Sequence, residues 1–162
     1  MSQPPSPPSP LAQALGRLPT GLYVVSTRRD GRPLGVVGSF LMQVGFQPPM
    51  LCIALANGRE HLAAIRADGR FTVSILDGAS QNLMGAFFKK VEPGQSPYDG
   101  LELVTTPGGL AALAGSLAWL ECKLVSEHPS ADHVVLFGTV EHGAQLRAGD
   151  PAVHLRKNGL SY

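Results

Sequence analysis

A chain of 162 residues is the size of one domain and is long enough to bury a core of its own. Hydrophobic residues make up 44% and charged residues 15%, which excludes a disordered protein and leaves a globular one whose low surface charge fits a partner or dimer interface. A net charge of +1, with no run of Lys or Arg, excludes the continuous positive field that a nucleic-acid backbone demands.

Met1 to Pro10 is rich in Pro and Ser and lacks the charged and apolar regions of a signal peptide, so a disordered or polyproline arm is expected ahead of a domain at 11–162. A short helical lead, Leu11 to Leu18, precedes a β-rich run from Gly21 to Thr27. The Asp30-Gly31 pair is a hairpin signal, and a second strand, Pro33 to about Leu41, should pair antiparallel with the first. Phe46-Gln47-Pro48-Pro49 forces an extended turn, because neither proline donates to a sheet.

A strand from Met50 to Ala56 then leads into a helix around Arg59 to Ala67. Asn57 reads as its N-cap and Glu60 as the capping-box partner. Arg59 sits in the first turn, where unpaired N–H groups already carry partial positive charge. Either a phosphate shares that corner, or the arginine simply extends into water.

Beyond the Asp68-Gly69 break come a strand, Arg70 to Leu76, and a helix, Ser80 to Lys89, with Leu83, Met84, Phe87 and Phe88 as its apolar stripe. Val91 to Gly109 reads as a long loop with one short strand near Leu101 to Thr105. Leu117 to Glu127 and His133 to His142 are the closing strands. Many strands without a βαβ rhythm predict a closed or partly closed antiparallel barrel with helices at its openings. Cys52 and Cys122 fall in apolar runs and read as free thiols, and no Cys-x-x-Cys or zinc-like spacing predicts a metal. No stretch reaches the roughly 18 apolar residues of a membrane span, so neither a membrane nor a nucleic-acid partner is expected, and the expected location is cytoplasmic.

Six stretches follow one another in a specific order: Gly-Leu-Tyr-Val-Val-Ser-Thr at 21–27, Gly-Ser-Phe-Leu-Met-Gln-Val-Gly-Phe-Gln-Pro-Pro at 38–49, Phe-Thr-Val-Ser-Ile-Leu at 71–76, Leu-Ala-Trp-Leu-Glu-Cys at 117–122, Asp-His at 132–133 and Ala-Val-His-Leu-Arg-Lys at 152–157. Their order and spacing resemble the flavin reductase-like family on the FMN-binding split barrel, over roughly Leu15 to Tyr162. The likeness extends in particular to the flavin reductase module at the C-terminal end of cyanobacterial flavodiiron (diflavin) proteins. It implies a mainly β domain with short helices, a six-stranded antiparallel split β-barrel, forming a homodimer with FMN near the subunit interface.

By the same resemblance, the segment 38–45 wraps the flavin ring, which makes Gly38, Ser39, Phe40, Leu41, Gln43 and Val44 candidate FMN contacts. Gly38, Ser39 and Gly45 are small enough for a backbone to approach a planar ligand. Val37, Phe40 and Gly45 stand where the family carries Ser and Thr, which leaves backbone contacts to hold the ring and Phe40 to shield one face. The resemblance brings the flavin phosphate to Asn57, Gly58 and Arg59, with Lys89 a further basic candidate or else a solvated lysine. Asp132-His133 corresponds to a Gly-Asp-His motif near the nicotinamide, with Ala131 in the glycine's place. His133 is therefore the candidate for nicotinamide placement, or else a histidine hydrogen-bonding at a strand start, and His154 is expected at the same mouth or at the dimer contact.

The implied activity is an NAD(P)H:flavin oxidoreductase that moves hydride from NADH or NADPH to FMN. Such a transfer needs little acid–base help, so no nucleophile–base pair is expected. Two alternatives stand beside it. One is an FMN-binding electron-transfer module reduced by a protein partner and passing electrons to an acceptor protein. The other is a haem- or pyridoxine-related enzyme on the same barrel, since one fold hosts several chemistries.

Overall fold

The computed structural model describes residues 7–92 and 94–161. Its main element is a seven-stranded antiparallel sheet, built from β1 (Tyr23–Arg29), β2 (Arg32–Gly38), β3 (Leu41–Phe46), β4 (Pro49–Ala56), β5 (Arg70–Ile75), β8 (Ala118–Ser130) and β9 (His133–Gln145) in the order β2-β1-β5-β8-β9-β4-β3. A flat sheet of this width would hold its edge strands about 29 Å apart. The two edges are β2 and β3, joined only by Ser39-Phe40, a link that spans at most about 11 Å. The sheet therefore curls on itself and stays open along the β2/β3 seam.

Seven strands stand where the resemblance implies six. The second predicted strand stops at Gly38, and Leu41–Phe46 becomes a strand of its own because β4 offers it a ladder, with Leu41 opposite Ile53 and Phe46 opposite Pro49. The Asp30-Gly31 hairpin forms as expected, both residues at positive φ (+52° and +75°) between the paired Arg29 and Arg32.

Strand alternation fills the interior. β4 turns Leu51, Ile53 and Leu55 inward, where they meet Val25, Phe71, Val73 and Leu136. Helix α2 (Glu60–Asp68) adds Leu62 and Ile65 to that cluster and ends in Gly69, whose φ of +74° supplies the left-handed cap. The outer face of β5 is covered too, by a two-stranded flap of β6 (Leu103–Thr105) and β7 (Ala111–Leu113). Thr72 Oγ1 donates to Ala111 O at 2.6 Å, and Ser74 Oγ accepts from Leu113 N at 2.9 Å. The sequence predicts only the first of these two strands.

A second apolar cluster joins Leu22, Val24, Leu76, Tyr98 and Leu113. Leu83, Met84 and Phe87 pack on it from the predicted Ser80–Lys89 helix, which splits into a 3-10 turn (Gln81–Met84) and the short helix α3 (Gly85–Phe88). Phe88 is left exposed.

Residues 1–6 of the predicted arm lie outside the described residues. Ser9 and Pro10 belong to helix α1 (Pro10–Leu15), Ser9 Oγ accepting from Ala12 N at 3.2 Å as its N-cap. The C-terminal segment crosses back over this end. Thr20 and His154 exchange backbone hydrogen bonds of 3.0 and 2.7 Å, and Gly159 N donates to Ala12 O at 2.8 Å. Among the described residues no helix is long and apolar enough to cross a membrane.

Candidate cofactor site

A cavity of about 920 Å³ opens where the end of β2, the end of β4, the start of α2, the start of β9, α3 and the C-terminal segment converge. Its apolar lining comes from Leu22, Val36, Val37, Leu55, Met84 and Phe87. Its polar lining includes Ser39, His61, His133 and His154 and three cations, Arg59, Arg156 and Lys157. Among the described residues, no Asp or Glu lines it. An apolar trough with an uncompensated cationic rim fits a planar aromatic ligand carrying an anionic tail.

Arg59 reaches the cavity through the elbow between β4 and α2. Gly58 makes the turn at φ +74°, with open space where a Cβ would stand. Asn57 does not cap the helix as its sequence suggests. Its N–H donates to Asp132 O at 2.9 Å and its Nδ2 to Ala131 O at 3.2 Å, so it is drawn off to the β8–β9 turn. Arg59 itself occupies the N-cap position with no side-chain cap, and Glu60 pairs with Arg29 at 2.8 Å instead of completing a capping box. The first N–H groups of this nine-residue helix thus lack a side-chain partner, which suits them to an anion.

Among the described residues, four side chains hold a buried polar atom with no hydrogen-bond partner: Ser39 Oγ, His61 Nδ1, Asp68 Oδ1 and Arg156 Nε. Three of the four belong to residues that line this cavity. Leaving a polar atom buried and unpaired costs about 1–3 kcal/mol, a cost that a ligand pairing with these atoms would remove. His61 is held through Nε2 against Gly35 O at 2.9 Å, and burial pulls its pKa below the ordinary histidine value. His133 contacts Asp132 Oδ1 through Nδ1 at 2.7 Å, which in turn lowers the Asp132 pKa. A carboxylate on Nδ1 favours a proton there and leaves Nε2 as the free ring nitrogen.

Of the predicted contacts, Gly38, Ser39, Arg59 and His133 line the cavity, as does His154. Phe40, Leu41, Gln43, Val44, Asn57, Gly58 and Lys89 do not. Leu41 sits in the β3–β4 ladder, Gln43 and Val44 are exposed on β3, and Lys89 is exposed at the end of α3. The segment read as a ring-wrapping loop is an edge strand beyond Phe40, with the backbone groups on one side of it engaged in the β4 ladder. Phe40 lies between two other site residues, with the Arg156 guanidinium 4.7 Å over its ring and the His133 ring edge-on at 5.6 Å. His61, Arg156, Lys157 and the wall formed by Met84 and Phe87 are site residues that the sequence does not predict, although the Ala-Val-His-Leu-Arg-Lys stretch points at the C-terminal cations.

A family model described as flavin reductase like domain matches residues 15–159. Diflavin flavoprotein A 1 of Synechocystis sp. is 33% identical over 156 residues, covering 95% of this chain and 27% of that protein. A putative diflavin flavoprotein A 3 of the same organism is 34% identical over 151 residues, 93% of this chain and 25% of its own length. The chain thus spans about a quarter of these relatives. Among solved structures, nitrilotriacetate monooxygenase component B from Mycobacterium thermoresistibile superposes with a TM-score of 0.82 at 26% identity, over 90% of this chain and 80% of that one. The NADH:FAD oxidoreductase of Streptomyces globisporus C-1027 gives 0.82 at 23% identity, over 94% and 95%, a likeness of fold. With its curled sheet, its cation-rimmed cavity and a family match over most of its length, the chain belongs to the flavin reductase-like domain family.

Proposed function

We propose that this domain binds FMN in the cavity and works as an NAD(P)H:flavin oxidoreductase. The observation that carries the reading is the lining itself, which among the described residues holds three cations, no Asp or Glu side chain and three residues with buried unpaired polar atoms. Ser39 Oγ and His61 Nδ1 are the hydrogen-bonding atoms for the ring system, and Gly38 lets the main chain approach it. Arg59 and the uncapped start of α2 receive the phosphate, a pairing of charge-assisted bonds roughly twice as strong as neutral ones. His133, held by Asp132 and by the Phe40 ring, orients the nicotinamide at the mouth. Leu55, Met84 and Phe87 keep water from the trough. When bound, the flavin supplies the hydride-accepting chemistry and NADH or NADPH the hydride.

A homodimer belongs to the same reading. From Pro33 to Gly58 there is no charged residue, and β3, a sheet edge, exposes Met42, Val44 and Phe46, the last at 89%. An uncharged apolar edge of that kind is a surface that a second copy would cover. Two free thiols, Cys52 and Cys122, suit a reducing, cytoplasmic setting.

Anaerobic addition of NADH or NADPH to the FMN-loaded protein should bleach the visible flavin band. Failure to take up FMN, or no bleaching with either nucleotide, would remove the claim. A yellow protein that oxidises neither nucleotide would instead indicate an FMN-binding electron-transfer module fed by a protein partner. That second reading is favoured by the length of the diflavin relatives, in which the matching region is about a quarter of the chain.

A further inference from the structure

Among the described residues, five arginines meet carboxylates: Arg28 with Asp68, Arg29 with Glu60, Arg66 with Glu127, Arg70 with Glu121 and Glu141, and Arg147 with Asp77. Arg156 does not. Its guanidinium lies 4.7 Å over the Phe40 ring, its Nε is buried without a hydrogen-bond partner, and its side chain lines the cavity. A guanidinium only donates hydrogen bonds, so the buried, unpaired Nε calls for an acceptor. Arg59 provides one cation to the cavity from α2, and Arg156 comes from the other end of the chain.

The backbone that delivers Arg156 is fixed. Arg156 O accepts from Arg17 Nη2 at 3.3 Å, and it lies so close to Gly16 that a Cβ there would stand 2.4 Å away. At Gly159 an added Cβ would be 2.2 Å from Leu15 Cβ, so Arg156 and the residues just after it press against the end of α1. A flexible surface arginine would need neither glycine. A guanidinium held on an aromatic face by a pinned backbone loses little further freedom when it binds, which is the condition for a specific anion contact.

We propose that Arg156 is a second anion-binding arm of the cavity, set in place by the Phe40 face, and that it takes a phosphoryl group of the bound nucleotide. Phe40 then acts as a positioning residue for Arg156, in place of the flavin shield that its sequence suggested. The phosphoryl group belongs either to the flavin or to the nicotinamide dinucleotide, and this assignment rests on the flavin reductase reading above.

The test compares wild type with Arg156→Met and Phe40→Leu in the full chain, after thermal unfolding confirms that each variant folds. Kd is measured for FMN against riboflavin, and for NADH against a phosphate-free N-alkyl dihydronicotinamide. Arg156→Met should weaken one phosphorylated ligand about tenfold or more while its phosphate-free analogue changes less than twofold. Loss confined to FMN assigns the flavin phosphate, and loss confined to NADH assigns the dinucleotide. Phe40→Leu should give the same selective loss at smaller size, with Phe40→Tyr restoring it. Inorganic pyrophosphate, titrated calorimetrically, should bind wild type and not Arg156→Met, a result independent of flavin uptake. Equal losses for phosphorylated and phosphate-free ligands, or unchanged pyrophosphate binding, would overturn the proposal. If wild type takes up no flavin, the reductase reading fails, and the pyrophosphate result still decides the role of Arg156.

Discussion

Asn57 donates from Nδ2 to the carbonyl oxygen of Ala131 at 3.2 Å, tying the β4–α2 elbow to the two-residue turn between β8 and β9. That bond links two parts of the candidate site, the helix start that carries Arg59 and the turn that carries His133. It also explains how the turn keeps its shape without glycine. Ala131 sits at φ +51°, a conformation in which a Cβ costs about 1–2 kcal/mol.

Ala131→Gly should therefore stabilise the protein. Relief of that strain is partly offset by the extra freedom of glycine in the unfolded chain, about 0.4–1 kcal/mol, leaving a gain of roughly 0.5–1 kcal/mol. Urea unfolding at neutral pH measures it. A loss of more than about 1 kcal/mol would mean that the positive φ carries no strain.

Ser39 is 4% exposed and its hydroxyl has no partner. Ser39→Ala should raise the stability of the ligand-free protein by about 1 kcal/mol, because an unsatisfied buried hydroxyl disappears. The same change should weaken flavin binding, because the hydrogen bond that Ser39 Oγ gives the ring system is lost. Opposite signs in melting and in titration are the expected result, and a destabilised ligand-free variant would contradict the orphaned-hydroxyl account.

His61 has its pKa pulled below 6.5, chiefly by burial and further by the charges of Arg59 and Arg29, against the opposing effects of the Gly35 hydrogen bond and Glu60. Above about 6.5 the ring is neutral in folded and unfolded chains alike and contributes no pH dependence. Below that value the unfolded chain takes up the proton first, so stability declines as the solution is acidified toward the lower folded pKa. His61→Gln should remove that part of the slope. Melts at pH 7.5 and 5.5 compare the two proteins, and identical slopes would exclude His61 as the source.

Asp77 is held by Arg147 through bonds of 2.6 and 3.1 Å and by Ser80, and its pKa falls from 3.8 to about 2. The pair pins the loop after β5 to the loop after β9, beside the Asp77–Pro151 bridge that starts the C-terminal segment. Its contribution is complete above 3.8 and is lost as pH falls toward 2. Arg147→Met should thus narrow the stability gap between pH 5 and pH 2.5. A gap as wide as in wild type would show that another carboxylate carries the acid dependence.

Much of the barrel was legible in the residues. The Asp30-Gly31 hairpin, the alternation of Leu51, Ile53 and Leu55 and the paired closing strands are set by turn chemistry and period two, both local properties. Strand β3 was not, since Leu41 to Phe46 becomes a strand only when β4 lies beside it. Asn57 carried a good local signal for an N-cap and lost to a stronger, distant partner at Ala131 and Asp132. The Ser80–Lys89 helix broke because its apolar side chains answer to the cluster around Leu76 and Tyr98.

By itself, then, the order of residues determined a strand-rich chain with one arginine at an exposed helix start and a family resemblance running to its C-terminal cations. Only the folded chain decided which groups share the cavity. Arg59, His61, His133 and Arg156 come from separate stretches and meet because the sheet curls until its first and last segments overlap. Local spacing encodes the period of an element and the chemistry of a turn, whereas burial of Ser39, stacking of Arg156 on Phe40 and a lining without Asp or Glu among the described residues depend on long-range packing that no window of sequence contains.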